Sequence, residues 1–427
     1  MKILHISDLH IGKTVNAFSM LEDQEHVLAQ VLGYVGLHRP DAVVIAGDVY
    51  DKLAPPPDAV RVFDRFITEL AGMGPEVMIV SGNHDSPERL GFASGIMKER
   101  GVHIYGVFDG KMRVAALRDG YGEVRFYMLP FIRPADARRY YGGEGDTADS
   151  YQDAVSAIIG AAGIDVSARN VLIAHQFFAS ESADPERTDS ERETVGGTDR
   201  IDVEACGITA NFDYAAFGHL HRSQRAGPGH VRYAGSPLKY SLSECFHDKC
   251  ALLVELRGKG ELSVEALPLK PLRDMRRIRG RIDALLEEAR SGADDLFAGT
   301  GKNDYLHVIL TDEDEVYDAI GKLRAVFPNV MKIEYDNSRS NAGPGPDGEI
   351  SFEDATPLSL FEDFYESQNG AAMSADQKDA VSAFLNPELL NSGSELRNSS
   401  SDLSNSGSNL SNSGTELKNP MGGSELK

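Results

Sequence analysis

One pattern recurs along the first half of this 427-residue chain and limits what it can fold into: a short apolar run that ends abruptly on acidic, amide or imidazole residues. Asp41-Ala42-Val43-Val44-Ile45-Ala46-Gly47-Asp48 and Glu76-Val77-Met78-Ile79-Val80-Ser81-Gly82-Asn83 are the clearest cases. The run before Asp8 and those at 170–175 and 214–219 repeat the pattern. Such runs read as strands covered on both faces. Alternating with helical patterns up to about residue 270, they imply a layered α/β fold. In sheets flanked by helices, ligands gather at the carboxyl ends of strands. The polar residues fall at those ends, so one site can collect all of them.

Asp8-Leu9-His10 puts a carboxylate and an imidazole on one side of an extended chain. Gly47-Asp48-Val49-Tyr50-Asp51 closes a strand with a glycine that lets the backbone turn Asp48 toward a shared site. Gly82-Asn83-His84-Asp85 adds an amide oxygen and an imidazole, and His175 and Gly218-His219-Leu220-His221 end two further strands. Singly, each is as well explained by an ordinary hydrogen-bonded strand end. As a set they make sense as one site, because unpaired buried carboxylates are costly. Oxygen and nitrogen donors without thiolate suit manganese, iron or zinc better than calcium, with manganese first.

The series Asp-x-His, Gly-Asp-x-x-Asp, Gly-Asn-His-Asp, strand-end His and Gly-His-x-His resembles that of the calcineurin-like metallophosphoesterases. The resemblance implies a two-sheet sandwich flanked by helices and a centre of two divalent cations. Asp8, His10, Asp48 and His221 would hold one, Asp48, Asn83, His175 and His219 the other, with Asp48 bridging. His84 matches the histidine that contacts the scissile phosphate and protonates the leaving oxygen. Two cations about 3.5–4 Å apart polarise a phosphoryl oxygen and bring the pKa of water toward neutrality, so no Ser or Cys nucleophile is required. Asp51 and Asp85 are expected to cap a helix or orient a histidine rather than bind a cation.

Flanking sequence narrows the class. Asp85 and Lys52 stand where protein phosphatases of this group carry other residues. Ser86-Pro87-Glu88-Arg89-Leu90, Val195-Gly196-Gly197-Thr198-Asp199 and Tyr233-Ala234-Gly235-Ser236-Pro237-Leu238 are similar to the SbcD family, nuclease subunits of bacterial DNA double-strand-break processing complexes. That resemblance covers residues 1–387. It implies a double-strand 3'-5' exonuclease and single-strand or hairpin endonuclease, working as a homodimer with an SMC-like SbcC ATPase in a heterotetramer. Residues 1–270 would be the nuclease domain, 271–340 a small βαβαβ-like module capping the DNA groove, and 341–350 a linker. Residues 351–387 would be a helix pair docking on the SbcC coiled coil through Leu358, Leu360, Phe361, Phe364, Tyr365 and Phe384; an autonomous hairpin is the alternative. Helices at 58–70 and 87–100 would pair the homodimer. A small-nucleotide phosphodiesterase and a non-catalytic scaffold remain competing readings of the whole.

The formal net charge of -23 opposes bulk attraction to DNA, so contacts must come from local patches or from cations. Arg133, Arg138 and Arg139, beside Tyr140 and Tyr141, form one candidate, and Arg273, Arg276 and Arg277 another; either reads equally well as a solvated charged face. Cys206, Cys245 and Cys250 suggest no disulfide framework. With no apolar membrane-length run and no signal peptide, a cytoplasmic protein is expected. Gly299-Thr300-Gly301-Lys302-Asn303 resembles a phosphate-binding loop but lacks its spacing and its Ser or Thr. The Asn-Ser-Gly-Ser repeats of 388–427 read as a disordered tail, because one Leu per repeat cannot offset backbone ordering.

Overall fold

The computed structural model describes residues 1–141, 149–181, 184–189, 191, 199–291, 301–338, 356–369 and 372–385. The expected linker at 341–350, the tail at 388–427, residues 195–198 and residues 299–300 lie outside them.

In chain order the main strands are β1 (Lys2–Ile6), β2 (Ala42–Ala46), β3 (Glu76–Val80), β4 (Val102–Tyr105), β5 (Arg113–Asp119), β6 (Gly122–Leu129), β7 (Arg169–His175), β8 (Tyr214–Gly218), β9 (Gln224–Arg225), β10 (Val231–Tyr233), β11 (Cys250–Leu256) and β12 (Leu262–Pro268). They form two six-stranded sheets, ordered β12-β11-β1-β2-β3-β4 and β9-β10-β8-β7-β6-β5. Strands β1 to β4 run parallel, as do β6, β7, β8 and β10.

The side-chain period of two explains the unbroken apolar runs. Ile3, Val44, Met78 and Val80 pack against Phe126, Ile173, Tyr214 and Ala216 between the sheets. The intervening Leu4, Val43, Ile45 and Ile79 pack outward on helices α1 (Leu21–His38) and α2 (Pro57–Gly72). On the other sheet Leu172, Ala215 and Phe217 face helix α3 (Tyr151–Ala161). Both faces of each sheet are therefore covered, which is what a strand without polar alternation requires. The expected sandwich is the observed fold.

A smaller parallel sheet follows, β13 (Met275–Gly280), β14 (Tyr305–Leu310) and β15 (Val330–Tyr335), with β14 central. It has its own core of Ile278, Leu285, Leu306, Val308, Leu323 and Val330. Helix α4 (Ile282–Ser291) and the short helix α5 (Ala319–Arg324) cover it. The pattern from Glu313 to Phe327 reads as one helix, but only Ala319–Arg324 forms it. Asp318 adopts φ +48 and caps the helix by accepting from the Gly321 N–H, so helical geometry begins only at Ala319. The expected helix at 87–100 is also two pieces, Pro87–Leu90 and Ser94–Lys98, because Ala93 sits at φ +57 between them.

Residues 336–427 form a separate unit, in which α6 (Pro357–Asn369) and α7 (Ala375–Phe384) make a helical pair. Ser374 and Gln377 form a capping box at the start of α7, and Gln377 bonds the Tyr365 hydroxyl at 3.0 Å. Phe364 and Phe384 are exposed. Among the described residues no helix is long and apolar enough to cross a membrane.

The small sheet meets the sandwich along an apolar seam of Met20, Val27, Leu238, Met275, Tyr305 and Met331, and a buried carboxylate adds a polar tie beside it. Asp23 of α1 accepts from the Arg273 backbone at 3.0 Å, from its guanidinium and from the Tyr305 hydroxyl at 2.9 Å. Removing one partner of a buried pair leaves the other uncompensated, at a cost of roughly 3–5 kcal/mol when solvent cannot reach it. Because water reaches Arg273, Asp23→Ala should lower the unfolding free energy by about 2–3 kcal/mol in a urea titration.

Candidate metal centre

The parallel pairing of β1 and β2 continues past the strand ends. Asp8 N–H donates to Gly47 O at 3.0 Å, His10 N–H to Asp48 O at 2.9 Å and Ile11 N–H to Val49 O at 2.9 Å. Asp8, His10 and Asp48 are thereby set side by side. Each has a left-handed backbone, with φ +53, +43 and +49, and His219 has φ +102. Such conformations cost about 1–3 kcal/mol each and persist where surrounding structure imposes them, often at functional sites. Gly47 and Gly82 permit the close approach: a Cβ on Gly47 would strike the His175 ring, and one on Gly82 the Asp48 carboxylate.

The strand ends of both sheets meet here. His175 Nε2 lies 3.1 Å from Asn83 Oδ1, 3.4 Å from Asp48 Oδ2 and 4.0 Å from Asp8 Oδ1. His219 Nδ1 is 3.2 Å from Asn83 Oδ1. His10 Nε2 is 3.5 Å from Asp48 Oδ2 and 3.1 Å from His221 Nε2. All seven expected ligand residues fall in this one cluster, and all but Asn83 are buried. Two buried imidazole nitrogens facing each other, with carboxylate oxygens converging on the same space, form a donor set that fits divalent cations.

The flanking residues hold this set in place. His175 Nδ1–H donates to Ala46 O at 2.7 Å, which turns Nε2 into the cluster. Asp8 accepts from the His219 N–H at 3.0 Å, and Asp48 from the His84 N–H at 2.9 Å. His84 is half-buried, its ring edge-on to His10, and its Nδ1 donates to Asp51 O at 3.0 Å, so Nε2 remains available to a substrate. Asp85 accepts from Val49, Tyr50 and Gly82 backbone N–H groups, fastening two of the loops. Asp51 pairs with Lys13 and lies 3.6 Å from His10 Nδ1.

Sequence reasoning missed several supporting residues. Gln24 of α1 donates to His10 O at 2.7 Å and accepts from Gly12 N–H at 2.9 Å, and the Tyr240 hydroxyl bonds Leu9 O. Glu244 and Lys249 meet at His221. These residues lie outside any strand-end pattern, so periodicity gave no signal for them.

The arginine patches divide. Arg273 is held by Glu22 and Asp23, and Arg276 by Asp304 at 2.6 Å, so both guanidinium charges are already met by carboxylates of the fold. Partly buried positive groups need such local partners. Arg133, Arg139 and Arg277 stay exposed; Arg139 lies over Tyr140 and Arg277 over Phe246. Arg138 reaches Asp149 at 3.4 Å while half-exposed.

Charge within the cluster is mutually dependent. Burial opposes protonation of His175, but Asp48 and Asp8 outweigh it and lift its pKa from 6.5 to about 9. Burial would raise Asp48, yet His175 and then His10 hold it well below the usual carboxylate range. Burial lifts Asp8 to about 6 against the pull of His175 and His221, and pushes His219 down to about 3.

This sandwich and cluster define a calcineurin-like phosphoesterase. The profile of that family matches residues 1–223, just over half of the chain, and the chain belongs to it. A second profile, SbcD_C, described as the type 5 capsule protein repressor C-terminal domain, matches residues 271–369. The SbcD subunit of nuclease SbcCD from Staphylococcus epidermidis is 27% identical over 393 residues, 90% of this chain and 98% of that protein. Within the phosphoesterases, the chain is a member of the SbcD family. Among solved structures, a dimetal phosphatase from Danio rerio is 11% identical, with 62% of this chain and 98% of that one covered and a TM-score of 0.35. A phosphopantetheinyl hydrolase from Mycobacterium tuberculosis is 17% identical, covering 55% and 88%, with a TM-score of 0.29.

A cation must displace the proton that His175 carries below about pH 9. Affinity for a divalent cation should therefore rise with pH between 6 and 9, with a slope of about one or more in log K against pH. In the cation-free protein the sign reverses: the stabilisation from protonated His175 is complete below 6.5 and is lost as pH passes about 9. Calorimetric cation titrations and thermal melts across this range check both.

Proposed function

We propose that this chain is a metal-dependent nuclease, hydrolysing phosphodiester bonds of DNA as one subunit of a complex with an SMC-like ATPase of the SbcC type. The observation that carries the reading is the gathering of seven oxygen and nitrogen donor residues beside half-buried His84. Asp8, His10, Asp48 and His221 would hold one cation and Asp48, Asn83, His175 and His219 the other, with Mn2+ the first candidate. The pair, when bound, supplies Lewis acidity to the phosphoryl group and an acidified water.

The chain's own groups do the rest. Asp48 anchors the His84 backbone, and Asp51 O fixes its ring through Nδ1. Nε2 then contacts a non-bridging phosphate oxygen and, in the imidazolium form, gives its proton to the leaving oxygen. DNA as substrate is supported by the nuclease relative, which this chain matches over nearly its whole length. Residues 271–340 would flank the DNA groove, with Arg133, Arg138, Arg139 and Arg277 as phosphate contacts. Residues 351–387 would dock on the partner's coiled coil, where exposed Phe361, Phe364 and Phe384 offer apolar surface beside Leu358, Leu360 and Tyr365. Homodimer pairing within a heterotetramer and a cytoplasmic setting belong to the same reading.

His84→Gln should reduce Mn2+-dependent degradation of end-labelled duplex DNA by about 10²–10⁴-fold while cation binding persists. A small aryl or cyclic phosphodiester in the same assay tests the alternative, since turnover of that compound alone would mark a small-nucleotide phosphodiesterase. Deleting 351–387 should abolish capture by the ATPase coiled coil while leaving cleavage by the isolated subunit intact, as read by pull-down and nuclease assay.

A further inference from the structure

His221 is gripped at three points before any cation is considered. Its backbone N–H donates to Glu191, whose other oxygen accepts from Thr188 N–H at 2.8 Å. Its carbonyl accepts from Lys249 Nζ at 2.7 Å. Its ring Nδ1 lies 3.2 Å from Glu244 Oε1. Only Nε2 is left to face the cluster, 3.1 Å from His10 Nε2.

Glu244 and Lys249 are both buried, at 0% and 7% exposure, the first ending a short 3-10 turn (Leu242–Glu244) and the second just ahead of β11. Lys249 Nζ spends its three protons on His221 O, on Ser236 Oγ at 2.9 Å and on Glu244 Oε2 at 2.6 Å. One ammonium thus holds both the backbone of the histidine and the carboxylate that orients its ring. Burying an ion pair is an inefficient way to stabilise a fold, since apolar side chains of the same volume serve as well or better. It is an effective way to fix a tautomer. With Nδ1–H donated to Glu244, the lone pair sits on Nε2, and the carboxylate makes that nitrogen a stronger donor.

We propose that Glu244, locked in place by Lys249, is the positioning residue that aims His221 Nε2 at a cation; the inference rests on the metal-dependent reading given above. Glu244→Gln keeps size and an acceptor for Nδ1–H but removes the charge and the tether to Lys249. Lys249→Met keeps the carboxylate and removes its anchor.

The test is calorimetric titration of the cation-free full chain with MnCl2, without DNA. Glu244→Gln and Lys249→Met should each weaken one Mn2+ site by about 10–100-fold and leave the other unchanged. In a His221→Asn background Glu244→Gln should add no further loss, because it acts only through that ring. Unchanged affinity in either folded variant, or an additive loss in the His221→Asn background, overturns the proposal. Wild-type protein that binds no Mn2+ overturns the metal reading itself, and is a different result from unchanged affinity in the variants. If Glu244→Gln does not fold, the Lys249→Met arm decides.

Discussion

The site depends on two strands that go on pairing after they have ceased to be strands. Three hydrogen bonds, from Asp8, His10 and Ile11 to Gly47, Asp48 and Val49, carry the register of β1 and β2 into their loops. Without that extension Asp8 and Asp48 would sit at the ends of independent turns. With it, left-handed residues that no loop would adopt freely are held by main-chain bonds on both sides. The other loops then arrive against a fixed edge: the His84 N–H against Asp48, the His219 N–H against Asp8, and the His175 ring against Ala46.

Much of this was legible in the residues. Apolar runs without alternation announce strands covered on both faces, and the sandwich supplies both covers. Polar groups at the ends of those runs announce convergence, because parallel strands deliver their carboxyl ends to one side. What pattern could not give were lengths set by single backbone angles: Ala93 divides one expected helix and Asp318 truncates another. Alanine at 93 gives no residue-type signal for a left-handed backbone, whereas Asp318 is of a type that favours both that conformation and a helix N-cap, and only its place in the run was illegible.

The groups around the histidines were illegible for a related reason. Gln24 lies on the amphipathic helix α1, where a buried glutamine interrupts the apolar face without revealing its partner 14 residues earlier. Glu244 and Lys249 lie in a short 3-10 turn and the loop after it, too brief to show a period. The arginines were legible as clusters in the sequence, but their partners in the fold were not. Arg273 and Arg276 are in fact spent on carboxylates at the seam and within the small module, and an acidic chain offers many such partners.

Asp23 and Gln24 are neighbours on one helix, yet they look in different directions. The first clasps the small parallel sheet through Arg273 and Tyr305, and the second grips the loop that carries His10. A chimera spliced at residue 270 would therefore sever nothing visible in the chain and still separate a socket from its plug. Exchange of the small sheet between relatives has to bring the matching turn of α1 with it, so the heritable unit is not the one that a domain boundary draws.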